Sequence, residues 1–383
     1  MKVSFIYVDA GKGHYVPAKA LYNHYLEMGN EATLDNMLLL LGAKTWNKVI
    51  KNWWRANLHH PKAERVLNER LDGPFIHNGI KFFADNGAVY VKRFIKWYNL
   101  EKPDYIICTN YLAHPILTTI IKRSKIDIPL YVYVADVFDN PRIGSSNEVT
   151  KFLVSSQLGK DNCIKKGIDE DRIIVVPFPL KQEVMRYGDV EQGEAREALD
   201  LYPNKFTIIL NFGGEGIGNV KLIEEMIAQK LDWQILVLGN FSVTTKLKYK
   251  ELRRMNPDLK LITPGFVDNI GLYIKACDVQ IGKTGANSLL ESLYLKRPFL
   301  MSELLYSSKA FIDFMRIKKI GWAEGDVKKQ IEILKNYSTN TEYRKSIEDD
   351  LNSLPISFGC VPLLEIADAE FNKYKANKTN KKS

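Results

Sequence analysis

The sequence predicts an α/β protein of two doubly wound domains, each a parallel sheet with helices on both faces. Three observations carry that prediction. An apolar run at residues 2–9 breaks at Ala10-Gly11-Lys12-Gly13-His14 and gives way to a helical period through Pro17, Ala18, Leu21 and Leu26. The same strand, glycine turn and helix start recurs at residues 206–210, followed by Asn211-Phe212-Gly213-Gly214-Glu215-Gly216-Ile217-Gly218. The chain of 383 residues is long for one hydrophobic core and ample for two. A nearly continuous apolar strand feeding a glycine turn and a helix is the opening unit of a buried parallel sheet.

The totals narrow the function. Hydrophobic content of 45% suits a water-soluble globular chain, and no apolar run is long enough to span a bilayer. Cys108, Cys163, Cys277 and Cys360 are scattered without paired spacing, which speaks against a zinc site or a disulfide framework and for a reducing compartment. The N-terminal Lys2 and VSFIYV are too short for an export signal and read as a first strand. A net charge of +9 calls for an anionic partner. Nucleic acid rests on that charge alone, since no helix-turn-helix, zinc or RNA-binding motif is present, and it is not expected.

The first domain is expected over residues 1–182. Its opening turn is not a dinucleotide fingerprint, because Val16 stands where the third glycine would be. Residues 37–100 have a helical period and are rich in aromatic and basic side chains, among them Trp46, Lys48, Lys51, Trp53, Trp54, Arg55, Phe82, Phe83, Lys92, Phe94 and Trp97. Such a mixture suits the headgroup level of a membrane, or else a core with a solvated basic face. A strand at 103–108 ends in Thr109-Asn110-Tyr111. One at 130–135 delivers Asp136 at its carboxyl end, where an open parallel sheet meets its ligands. Strands at 151–155 and 173–176 flank a helix at 159–167 and lead to Pro177-Phe178-Pro179.

The second domain is expected over 183–356, entered through a polar helical linker at 183–204. Strands are expected at 206–210, 233–238 and 261–265, again at 278–281, and finally at 299–301. A terminal helix is expected at 357–374, and 375–383 (KANKTNKKS) is read as an unordered basic tail. Within this half, Gly282-Lys283-Thr284-Gly285-Ala286-Asn287-Ser288 separates a strand from a helix carrying Glu291. Small residues at such a corner leave the first N–H groups of the helix bare, which suits a phosphate; they equally suit a plain turn and cap.

The stretch GFVDNIGLYIKACDVQIGKTGANSLLESLYLKRP resembles the donor-site signature of GT-B glycosyltransferases, two Rossmann-like domains facing across a cleft. The branch is that of plant galactolipid synthase, bacterial diacylglycerol glucosyltransferase and the peptidoglycan N-acetylglucosaminyltransferase. The resemblance implies that Phe266 and Val267, after Gly265, hold uracil by backbone. It further implies that Lys283, Gly285, Ala286, Asn287 and Ser288 meet the diphosphate and that Glu291 takes the ribose hydroxyls. Gly213, Gly214, Glu215 and Gly216 match the galactolipid-synthase glycine loop, and Gly11, Gly13 and His14 match its G-x-G-H turn. His14 then falls on the catalytic histidine, Asp136 on the family's Asp and Asn110 on an acceptor-side turn. Departures are Thr284 for a proline, Ala286 for a glycine, Ala135 for a threonine and Asn110 for a frequent histidine. The family's Pro-Gly-Gln-Glu segment is replaced by residues 303–309. The resemblance also implies that the terminal helix at 357–374 packs back on the first domain. On residues alone His14 fits a base or a histidine tied to a loop carbonyl, Asp136 a catalytic partner or a cap, Glu215 a ligand or a first-turn acid, and Glu291 a ligand or a solvated residue.

The resemblance therefore implies an inverting, metal-independent hexosyltransferase with a UDP-sugar as donor substrate and no cofactor. It implies a lipid acceptor, and an anionic membrane surface met through residues 44–98 on the cytoplasmic face. A nucleotide-sugar epimerase and a non-catalytic nucleotide-sugar or headgroup binder are the alternatives.

Overall fold

The computed structural model describes residues 1–9, 12–58, 65–66, 69, 87–212, 220–283, 285–305 and 308–380. The chain forms two compact units, Met1–Lys181 with Pro355–Ser383, and Gln182–Leu354.

The first unit holds six parallel strands: β1 (Lys2–Tyr7), β2 (Glu31–Asn36), β3 (Tyr105–Cys108), β4 (Leu130–Tyr133), β5 (Lys151–Val154) and β6 (Ile173–Val175). Their order is β2-β1-β3-β4-β5-β6. Growth of the sheet reverses between β1 and β3, so the loops after those strands part there and open a place for a ligand. Strand β3 is wholly apolar and buried, as a central parallel strand requires. β2 (EATLDN) is the strand that sequence reading missed. It sits at the sheet edge, mostly half-buried, and so carries no apolar run.

The helices of this unit are α1 (Lys12–Glu27), α2 (Met37–Leu40), α3 (Lys44–Leu58), α4 (Ala88–Glu101), α5 (Ala113–Ser124) and α6 (Gln157–Lys165). They divide the aromatic-basic segment into two kinds. On α4, Phe94 is fully buried, and Tyr90, Trp97 and Tyr98 pack against the core formed with Met37, Leu38 and Leu117. Those aromatics are core, which corrects the membrane reading for that part of residues 44–98. On α3, Trp46 and Val49 face outward at 51% and 48% exposure. The side chains of Trp53, Trp54, Arg55, Phe82 and Phe83 lie outside the described residues.

The second unit is a sheet of β7 (Thr207–Asn211), β8 (Gln234–Leu238), β9 (Leu261–Gly265), β10 (Val279–Lys283), β11 (Phe299–Glu303) and β12 (Gly321–Ala323), ordered β12-β11-β10-β7-β8-β9. Its switch point lies between β7 and β10. Its helices are α7 (Gln182–Met185), α8 (Gln192–Ala198), α9 (Val220–Ala228), α10 (Val243–Met255), α11 (Ile270–Ala276), α12 (Ala286–Tyr294), α13 (Lys309–Lys318), α14 (Val327–Thr339) and α15 (Thr341–Asn352). The strand at 299–301 is not the last. β12 follows, three residues of GWA too short to stand out in a hydropathy reading. A Cβ at Gly321 would come within 2.2 Å of the Phe299 carbonyl oxygen, so this strand needs glycine to approach its neighbour.

Helix α16 (Cys360–Asn380) returns to the first unit. The Asp368 carboxylate accepts hydrogen bonds from the Tyr25 hydroxyl at 3.0 Å and the Tyr105 hydroxyl at 2.6 Å. The unordered tail expected from residue 375 is corrected as far as Asn380. There the helix continues, anchored where Tyr374 donates to Asp127 at 2.5 Å and Lys378 pairs with the same carboxylate. Among the described residues no helix is long and apolar enough to cross a membrane.

Candidate functional site

The β1–β3 switch point brings His14 and Thr109 together. Residues 10 and 11, including Gly11 of the turn, lie outside the described residues; Gly13 and His14 open α1. Pro17 has no N–H for the Gly13 carbonyl one turn back, which loosens this end of the helix. No atom lies within 4 Å of where a Cβ on Gly13 would stand. His14 is 7% exposed. Its Nδ1 lies 2.8 Å from the Thr109 carbonyl oxygen, and the Thr109 hydroxyl donates back to the His14 carbonyl at 2.7 Å. A carbonyl only accepts, so Nδ1 carries the hydrogen and a neutral ring keeps its lone pair on Nε2. The Tyr111 ring meets the imidazole edge-on at 5.3 Å. The tie to a loop carbonyl and the competence to act as a base thus belong to different nitrogens of one ring.

Asp136 follows β4 by three residues. Burial raises its carboxyl above the ordinary range, and the charge of His14 is the largest influence lowering it, with Asp139 adding and Lys166 subtracting. The Thr109 carbonyl orients the His14 ring. Lys166 is held by Asp139 and by the Asn140 carbonyl, each at 2.5 Å.

Asn110 is fully buried, and its Oδ1 accepts from the Leu112 and Ala113 amides at 2.9 and 3.2 Å, capping the start of α5. One turn on, His114 Nε2 and Asn140 Nδ2 both donate to the Gly144 carbonyl at 2.7 Å, stapling the loop after Asp136. Burial lowers the His114 pKa to about 4. The unfolded chain therefore binds a proton below the ordinary value of 6.5 that the folded chain refuses, and stability drops as pH falls from there toward 4. Calorimetry is expected to show about 2 kcal/mol lost between pH 7 and 5, with His114→Gln flattening that slope. An equally steep loss in the variant would contradict this assignment.

The second switch point gathers the phosphate-type loop. Gly282 of β10 stands opposite Asn211 of β7, and a Cβ there would meet the Asn211 carbonyl at 2.7 Å and the Phe299 ring at 3.1 Å. Lys283 ends the strand, half-buried. Gly285 precedes α12, whose start has no side-chain cap among the described residues and open space where a Cβ on Gly285 would stand. Ala286, Asn287 and Ser288 form its half-buried first turn, with the bare N–H groups of a helix start. Glu291, three residues past Ser288, is 3% exposed, which rules out the solvated reading. Phe266, 63% exposed, and half-buried Val267 follow β9, whose Gly265 has a φ of +91° that favours glycine. Gly213, Gly214, Glu215, Gly216 and Thr284 lie outside the described residues.

No protein-family profile matches the chain. A probable monogalactosyldiacylglycerol synthase 2 of rice (Oryza sativa subsp. japonica) is 21% identical over 310 residues, 78% of this chain and 65% of the rice protein. The UDP-N-acetylglucosamine–N-acetylmuramyl-(pentapeptide) pyrophosphoryl-undecaprenol N-acetylglucosamine transferase of Bacillus licheniformis is 25% identical over 211 residues, 52% of this chain and 53% of that protein. These relatives come from the branch the motifs resemble. The chain thus spans just under two thirds of the galactolipid synthase it matches. Among solved structures, the UDP-GlcNAc 2-epimerase of Neisseria meningitidis bound to UDP-GlcNAc superposes with a TM-score of 0.59 at 13% identity, over 97% of this chain and 100% of that one. The fold is GT-B.

Thr109 is the site residue that sequence reasoning passed over. Its signal was positional, a hydroxyl residue at the carboxyl end of the strand beside the switch point.

Proposed function

We propose that the chain is an inverting, metal-independent transferase that moves a hexose or N-acetylhexosamine from a UDP-sugar to a lipid acceptor at a membrane surface. The observation that carries this reading is the His14 tautomer, a lone pair on Nε2 at the switch point of the first sheet. In this reading the first unit supplies the base and the second the donor site. Nε2 takes the proton of the acceptor hydroxyl as its oxygen attacks the anomeric carbon. The new C–O bond forms from the face opposite the breaking bond to the diphosphate, which leaves as UDP. Asp136 stabilises the imidazolium, and Lys283 with the first turn of α12 takes up charge on the leaving diphosphate.

Similarity in sequence to named transferases over most of the chain supports transfer. The fold shared with an epimerase keeps epimerisation of a nucleotide sugar as the competing reading. Support for the membrane comes from α3, where Trp46 and Val49 stand outward among exposed Lys44, Lys48 and Lys51. A cytoplasmic, peripheral location follows from the same reading.

Calorimetry with UDP, ADP, GDP and dTDP tests the donor half. Selective UDP binding is expected, weakened at least tenfold in Glu291→Ala, because a carboxylate–hydroxyl hydrogen bond contributes about 1.5–3 kcal/mol. Equal binding of all four nucleotides, or of none, would contradict the donor assignment.

A further inference from the structure

Helix α10 buries Tyr249 and Leu252, 1% and 7% exposed. At about 100° per residue, the side opposite those two carries Val243, Leu247, Lys250, Glu251 and Arg254, with Lys246 at its margin. An outward helix face is normally polar. Here Val243 is 76% exposed and Leu247 63%. The helix holds Lys246, Lys248, Lys250, Arg253 and Arg254 against the single carboxylate Glu251. Lys248 pairs with Glu224 and Glu251, and Arg253 bonds the Leu261 carbonyl and the Thr263 hydroxyl. Lys246, Lys250 and Arg254 make no ion pair among the described residues. At the sheet, the Gly239 amide donates to the Gly265 carbonyl at 3.0 Å, so the loop opening α10 and the loop carrying exposed Phe266 leave it side by side.

We infer that this face of α10 is a membrane contact on the second unit, separate from α3. Val243 and Leu247 enter the boundary between headgroups and acyl chains of an anionic bilayer, while Lys246, Lys250 and Arg254 meet lipid phosphates. A second copy is the poorer occupant, because it would set this cationic face against a chain carrying +9. The inference deepens the lipid-acceptor reading and rests on it for its purpose, though not for its geometry.

The test is co-sedimentation of the full chain with vesicles of phosphatidylcholine, with and without phosphatidylglycerol. Two paired variants go alongside, Val243→Ser with Leu247→Ser, and Lys246→Glu with Lys250→Glu. Wild type is expected to bind the anionic vesicles. Each pair is expected to bind about tenfold more weakly, and only the apolar pair to keep the wild-type salt dependence. An unchanged melting temperature shows that the variants fold. Vesicle binding lost in both pairs, with no transfer to any lipid in wild type, upholds the contact and removes the lipid-transfer reading. Variants that sediment like wild type, a wild type that binds neither vesicle, or a wild type that dimerises through this face would each overturn the contact.

Discussion

Replacing His14 by alanine is expected to lower kcat about a thousandfold while UDP binding stays at the wild-type level. General base catalysis contributes roughly 10²–10⁴-fold, and His14 belongs to the unit that does not carry the proposed donor loop. The two ring nitrogens allow a sharper version. Nδ1 holds the Thr109 carbonyl at 2.8 Å and Nε2 is the proposed base, so His14→Asn, whose amide can reach the same carbonyl but cannot act as a base, separates the roles. It is expected to melt close to wild type and to be as inactive as His14→Ala. Thr109→Val, which loses only the hydroxyl bond to the His14 carbonyl, is expected to reduce kcat less. Full activity in His14→Asn would remove His14 from the chemistry.

The largest stability effect is expected at Asp278. This carboxylate, 3% exposed, accepts from the Thr207 amide at 2.7 Å and from Arg196 at 2.8 Å, and it also pairs with Arg344. It ties α8 and α15 to the first strand of the second sheet. Arg196 is itself 7% exposed, its remaining donors placed on the carbonyls of Ala276 and Pro203. Asp278→Ala leaves that guanidinium buried without its counter-charge and the Thr207 amide without an acceptor. Breaking a buried pair from one side costs about 3–5 kcal/mol, against about 0–1 kcal/mol for an exposed pair. For a unit of this size the melting transition should fall by about 10 °C. The control is Lys122→Ala, which breaks an exposed pair with Glu148 and should shift the transition by about 2 °C or less. A loss under about 1 kcal/mol for Asp278→Ala would mean that water replaces the carboxylate and that this node is not structural.

The parts legible in the sequence were those that burial writes into hydropathy. β1, β3, β4, β7 and β8 are runs of apolar residues because both faces of a central parallel strand are covered. The glycine turns after β1 and β10 showed for a related reason, since a helix start that must stay open excludes large side chains. Two of the edge strands carry no such mark: β2 is half-polar and β12 only three residues long. The aromatic-basic segment misled because composition cannot tell a buried Phe94 from an outward Trp46; only the packing of α4 on the core separates them. Residues 375–380 read as a tail because polar, charged helices look like unordered chain until a partner such as Asp127 is known. That Thr109 partners His14 was hidden for another reason. They lie 95 residues apart, and only the adjacency of β1 and β3 turns two unremarkable side chains into a ring of fixed tautomer.

The most direct test of the central claim is the product formed when the full chain is given radiolabelled UDP-sugars and dispersed diacylglycerol or polyprenyl phosphate acceptors. The account predicts label passing into the lipid fraction with inverted anomeric configuration, stoichiometric release of UDP, and neither event in His14→Asn. Label that stays on the nucleotide with an altered sugar, or UDP-sugar that is bound and returned unchanged, would contradict it.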